Sequence, residues 1–245
     1  MSYTKPFPRI FLQLKGKTVI ASRDFVQDSS YVNSAEAKSL INAARIIVKD
    51  FKELTDYVEP TDANQSVYSH RIYELLLRTA TEFEANCKGI LKANGYVKAG
   101  DSLNIVDYHK LNAIMKLDRY EIETDLWIPT KKIVPLKEWG SGFSLGWYKA
   151  YNATKHNRYY NFNQATLSNL FNGICSLVVI LAAQFPIDIG YVGGSGFIAT
   201  SDDNDQELIL NDFTITYPTL SDAENYDFDW SVLSKSPQPF STYQF

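Results

Sequence analysis

Between Ile174 and Ala183 the chain is apolar on nearly every side, and the run closes at Phe185 before Pro186. A helix with no polar face has no side to show to water, so it must be wrapped by other elements or by lipid. Ser176 and Gln184 interrupt this run, which falls short of the roughly 18 apolar residues that span a bilayer. The expectation is therefore a central helix, capped at Asn163 and running to about Phe185, with further helices packed around it.

Those further helices are found by apolar residues recurring at three- and four-residue steps. Ser34 is a suitable N-cap for a helix carrying Leu40, Ile41, Ala44, Ile47, Val48, Phe51 and Leu54, ended by Pro60. A longer one runs from about Ser66 to Ala93, with Ile72, Leu76, Ala80, Phe83, Cys87, Ile90 and Leu91 as its stripe and Asn94-Gly95 as its stop. Shorter helices are expected from Asp107 to about Leu117 and from Trp147 to Tyr159. Residues 120 to 139 hold two prolines and no sustained helical period, and read as an extended excursion.

The ends differ. Ile10 to Leu14 and Thr18 to Ala21 flank Lys15-Gly16-Lys17 as a short hairpin would, and Glu207 to Leu210 and Phe213 to Tyr217 read as strands. The last ten residues, with Pro237 and Pro239, read as loosely held. The fold class is therefore mainly α: a helical bundle of about five helices with small β hairpin decorations at the N-terminus, in a mid-chain insertion and at the C-terminus. The expected division is 1–33 as a β or irregular segment, 34–186 as the bundle with 119–141 as its extended insertion, and 187–245 as a β or irregular extension packed on it.

A chain of 245 residues with 45% hydrophobic and 21% charged residues can bury a core without disulfide or metal staples. Its formal charge of -4 argues against a surface coated in cations for duplex binding, because such affinity comes from neutralising many phosphates. It leaves room for a local basic site. Cys87 and Cys175 fall within apolar helical patterns and read as buried thiols. The start lacks the apolar core of a signal peptide, and a cytoplasmic protein with no membrane association is the expectation.

The densest polar cluster is Tyr151-Asn152-Ala153-Thr154-Lys155-His156-Asn157-Arg158. On a helix, Asn152 and His156 stand at i and i+4 and so share a face, with Tyr148, Tyr151, Lys155 and Tyr159 on or near it. A histidine beside Lys155 and Arg158 favours its neutral form, which suits a general base. Asn152, His156 and the tyrosines also suit a buried or half-buried hydrogen-bond network joining two helices, which is the commoner role of such residues. His70 with Glu74, and Asp107 with His109, have no metal-site spacing around them, so no metal or cofactor is expected. The glycines from Gly190 to Gly196 fit neither phosphate-loop fingerprint and read as a turn, and Ser201 to Asp205 as a solvated acidic loop.

The helix containing Arg71, Glu74, Arg78, Glu82, Glu84 and Lys88, followed by Tyr151-Asn152-Ala153-Thr154-Lys155-His156 and then an apolar helix, resembles the HEPN superfamily over about Ser34 to Phe185. These are helical-bundle proteins common in prokaryotic defence and toxin systems. The resemblance implies a homodimer acting on or binding RNA in defence or stress response, as a metal-independent endoribonuclease or a degenerate relative of one. It casts Asn152 and His156 as the polar residue and histidine of the HEPN motif, with Tyr151 where the arginine would stand and Lys155 and Arg158 as substitutes for its charge. The alternative is a non-catalytic helical module that binds a protein partner.

Overall fold

In a computed structural model, the structure describes residues 2–27, 34–100, 102–185, 199–201, 207–210 and 212–245. The protein is mainly helical. Its α-helices are α1 (Asp24–Gln27), α2 (Ala35–Thr55), α3 (His70–Ala93), α4 (Ile105–His109), α5 (Asn112–Met115), α6 (Gly146–His156), α7 (Arg158–Asn161), α8 (Leu167–Ala182) and α9 (Trp230–Leu233). Its strands are β1 (Glu121–Thr124), β2 (Lys131–Ile133), β3 (Ala199–Ser201), β4 (Glu207–Leu210) and β5 (Phe213–Thr216).

The apolar run behaves as its composition demands. Every residue of α8 from Gly173 to Ala182 is buried, and α2, α3 and α6 all pack on it. Gly173 permits close approach there, since a Cβ would meet the Trp147 ring at 3.2 Å and the Thr79 methyl at 3.3 Å. The α8 cap is Thr166, whose side chain accepts from the Asn169 amide, and not Asn163, because residues 162–164 form a separate 3-10 turn. Among the described residues, no helix is long and apolar enough to cross a membrane.

Local caps shift other boundaries. Ser34 caps α2 as expected, accepting from the Ala37 amide. Ser69, and not Ser66, caps α3, because Tyr68 is held extended in an antiparallel bridge with Thr166. Asn104 caps α4, and Asp107 closes the capping box from the third position instead of serving as the cap. The expected single helix from Asp107 to Leu117 is two short ones, parted at Lys110 and Leu111.

The β pieces are not separate decorations. All five strands form one antiparallel sheet in the order β2-β1-β5-β4-β3, with Ile122 paired to Ile133 on one side and to Ile215 on the other. The mid-chain excursion and the C-terminal strands thus complete each other's hydrogen bonding, which neither could do alone.

The N-terminal hairpin does not form. Lys15-Gly16-Lys17 does turn, with Gly16 at φ 70 and the Lys17 amide donating to the Leu14 carbonyl, but residues 20–22 are a 3-10 turn. The Gln13 to Lys15 backbone bonds to Tyr226 instead. The buried Tyr226 ring lies among Tyr3, Phe7, Phe25 and Phe228, and its hydroxyl donates to the Ile10 carbonyl at 2.9 Å. The last ten residues are seated as well. The Ser241 amide donates to the Pro6 carbonyl at 3.0 Å, the Tyr243 amide to Asn94 Oδ1 at 3.1 Å, and the Phe245 ring meets Tyr96 edge-on. Aromatic side chains at both ends supply the apolar area that holds these strand-poor segments down. The expected glycine turn at 190–196 and acidic loop at 201–205 lie outside the described residues except for Ser201.

Candidate functional site

The polar cluster lies where α6 ends. Its eight residues do not form one site, because α6 stops at His156, Asn157 leaves the helical region at φ -146 and ψ 73, and Arg158 begins α7. Tyr159, expected at the end of the same helix, belongs to α7. The structure sorts the cluster into three parts.

The first faces α3. Tyr148, Tyr151 and Lys155 are spaced three and four residues apart and share a strip of α6. The Tyr148 hydroxyl donates to Glu84 Oε1 at 2.8 Å, and Lys88 Nζ donates to Glu84 Oε2 at 3.1 Å. Lys155 Nζ donates to the Tyr151 hydroxyl at 2.9 Å, and the two tyrosine rings meet edge-on at 5.3 Å. Burial pushes the Tyr148 phenol far up, and its hydrogen bond to the Glu84 carboxylate adds to this. Burial likewise raises the Tyr151 phenol, which is 3% exposed. Lys155 is held more basic than usual by its bond to Tyr151. This strip joins α6 to α3 through two of the tyrosines of the expected network, with Lys155 and Glu84 where that network had Asn152 and His156.

The second part is one step round the helix. Asn152 is half-buried, and His156, the last residue of α6, is exposed. The third is α7, where Arg158 is exposed and its guanidinium lies 5.9 Å from the Tyr73 ring of α3. Tyr159 and Tyr160 follow at 87% and 76% exposure, with rings packed edge-on against each other at 4.9 Å. Two adjacent tyrosines with their faces in water are unusual, since these rings normally find an apolar neighbour.

Lys155, His156, Arg158, Tyr159 and Tyr160 are all exposed at the corner where α6 gives way to α7, while Tyr151 is buried. Tyr160 carries no motif, and the sequence points to Tyr159 only as a residue on or near the face of Asn152 and His156. A signal for the corner exists in the charge pattern: between Glu138 and Asp188 the chain has no Asp or Glu, while it has Lys149, Lys155, His156 and Arg158. Those basic residues all lie on α6 and α7.

The other candidates are engaged elsewhere. His70 stacks on Phe162 with ring centroids 4.7 Å apart, and Glu74 pairs with Arg71. His109 Nε2 donates to the Trp139 carbonyl, and Asp107 takes bonds from Lys98 and Tyr96. Cys87 and Cys175 are buried free thiols, both driven up by burial.

Comparison with protein-family models, with curated proteins and with solved structures gives no match to this chain.

Proposed function

We propose that this chain is a HEPN-like helical-bundle protein that binds single-stranded RNA at the α6–α7 corner without cutting it. The observation that carries the reading is the pair of exposed tyrosines Tyr159 and Tyr160 beside three cationic or ionisable side chains, on a stretch free of acids. Unpaired bases stack on exposed rings, and the phosphates between them are met by Lys and Arg. Lys155 spends one of its three ammonium N–H groups on Tyr151 and keeps two for a phosphate. His156 and the side-chain amide of Asn157 lie next to these rings in sequence and offer hydrogen bonds to base edges.

Binding is favoured over cleavage because the position that would carry the motif's arginine holds no charge. Tyr151, in the arginine position, is buried and carries no charge at neutral pH. In metal-independent cleavage a base must act together with a cation placed on the phosphate as charge develops.

Fluorescence anisotropy with a labelled oligoadenylate tests the reading. The double variant Lys155→Ala/Arg158→Ala removes two cations, so the slope of log K against log salt falls by about 1.4. Tyr159→Ala/Tyr160→Ala weakens binding about tenfold or more. Wild-type affinity in both variants refutes the site. Incubating the same RNA without divalent metal separates the enzymatic reading: cleavage that His156→Ala abolishes makes the protein a ribonuclease. The HEPN reading also expects a homodimer, which the solution mass checks.

A further inference from the structure

We propose a second base-stacking platform, formed by Tyr68, His70 and Phe162, that takes an unpaired base of the same RNA strand held by the α6–α7 corner; this rests on the RNA reading above. The Phe162 ring lies 4.7 Å from His70, 5.4 Å from Tyr68 and 6.0 Å from Tyr73, centroid to centroid. Tyr68 is 49% exposed, His70 is exposed and Phe162 half-buried, so this aromatic group lies on the surface. Rings that cluster in a folded chain ordinarily do so to leave water, and this cluster keeps faces in it.

The platform is built in advance. Tyr68 pairs with Thr166 in an antiparallel bridge, the Leu167 amide donates to the Val67 carbonyl at 2.8 Å, and the Ser168 amide donates to the Gln65 carbonyl at 3.0 Å. The segment before α3 is thus bound to the start of α8, and little ordering remains to oppose a ligand. The platform is also continuous with the corner. Tyr73 has Arg158 5.9 Å from its ring on α7 and Phe162 6.0 Å from it. Phe162, Tyr73 and Arg158 therefore form a chain of contacts from the platform to α7.

Charge selects the occupant. The acid-free stretch from residue 139 to 187 supplies Phe162, and Arg158 of the same stretch lies 5.9 Å from the neighbouring Tyr73 ring. On α3, Glu74 is paired with the exposed Arg71 at 3.4 Å, and Asp62 ahead of Tyr68 is paired with Lys131 at 2.7 Å. A polyanion with flat, stackable groups complements this surface better than a neutral helix would.

Oligoadenylates of two lengths, labelled with fluorescein, test the platform by anisotropy: a trinucleotide, which fills the corner alone, and one of about twelve nucleotides, which reaches both places. Tyr68→Ala and His70→Ala are expected each to weaken the longer strand about tenfold, to leave the trinucleotide within about twofold, and to leave the melting temperature unchanged. Tyr68→Phe keeps the ring and keeps the affinity. Equal effects on both lengths, or none on the longer one while Lys155→Ala/Arg158→Ala still weakens it, overturn the platform and leave the corner standing. A wild-type protein that binds neither length at low salt overturns the RNA reading and the platform with it, and assigns the surface to a protein partner.

Discussion

Replacing Gln184 with leucine is expected to destabilise the protein by about 3–4 kcal/mol, far more than a change at the other polar residue of the apolar run. Gln184 is 3% exposed and joins three segments. Its Oε1 accepts from Arg9 Nε at 2.9 Å, and its Nε2 donates to Asn86 Oδ1 at 2.9 Å and to the Ile180 carbonyl at 2.8 Å. Leucine has a similar volume, so no large cavity forms, and the loss lies in the partners. The Arg9 Nε and the Asn86 Oδ1 each lose a bond in the interior, at about 1–3 kcal/mol apiece. For a chain of this size about 3–4 kcal/mol lowers Tm by roughly 10 °C. Ser176, equally buried, donates instead to the Asn172 carbonyl one turn back on its own helix, so Ser176→Ala strands no distant group and costs less than about 1 kcal/mol. Urea unfolding followed by tryptophan fluorescence measures both, with the same m-value expected in each. If Gln184→Leu costs no more than Ser176→Ala, the junction of Arg9, Asn86 and Gln184 does not hold the N-terminal segment to the helices.

Further outcomes follow from the same contacts. His156 is exposed, so His156→Ala melts within about 0.5 kcal/mol of wild type, whereas Tyr148→Phe, which removes the donor to Glu84, costs about 1–2 kcal/mol; thermal melts of the two decide this. Glu224 is held down to about 2 from 4.5 by the Ser221 amide and hydroxyl, with Lys116 at 3.1 Å adding to this. Its folded value is depressed, so its stabilisation is complete above pH 4.5 and is lost as pH falls towards about 2; Glu224→Gln should flatten the stability curve in that window alone, as unfolding at stepped pH would register. The Cys87 and Cys175 thiols, buried and raised by burial, should react with a thiol reagent only at the rate of unfolding, and prompt labelling of the native protein would contradict their enclosure.

The helices were legible because their causes are local. The stripe from Ile41 to Leu54 and the one from Ile72 to Leu91 follow the helical period, and both are buried in the structure. Ser34 and the stop at Asn94-Gly95 act within one turn of chain, and Gly95 adopts φ 78 as such a stop requires. The candidate site was legible as a stretch of residues and not as an arrangement. The spacing of Asn152 and His156 is a property of α6, but Asn157 ends that helix and puts Arg158 on a separate one. Tyr151 and Lys155 are an i, i+4 pair within the cluster, but nothing there tells that Tyr151 is buried or that Arg158 lies over Tyr73, since Tyr73 is far away in the chain.

The sequence by itself determined a mainly helical protein arranged about an apolar α8, because burial of that helix depends on composition and period alone. Tertiary structure decided the rest. It made one sheet of Glu121–Thr124 and Phe213–Thr216, distant segments whose backbone groups need each other. It also seated the last ten residues against Pro6 and Asn94, and turned Gln184 from a polar interruption into a buried junction. Each of these depends on a partner remote in the chain, and a hydrogen bond or ring contact leaves no period in the residues that make it.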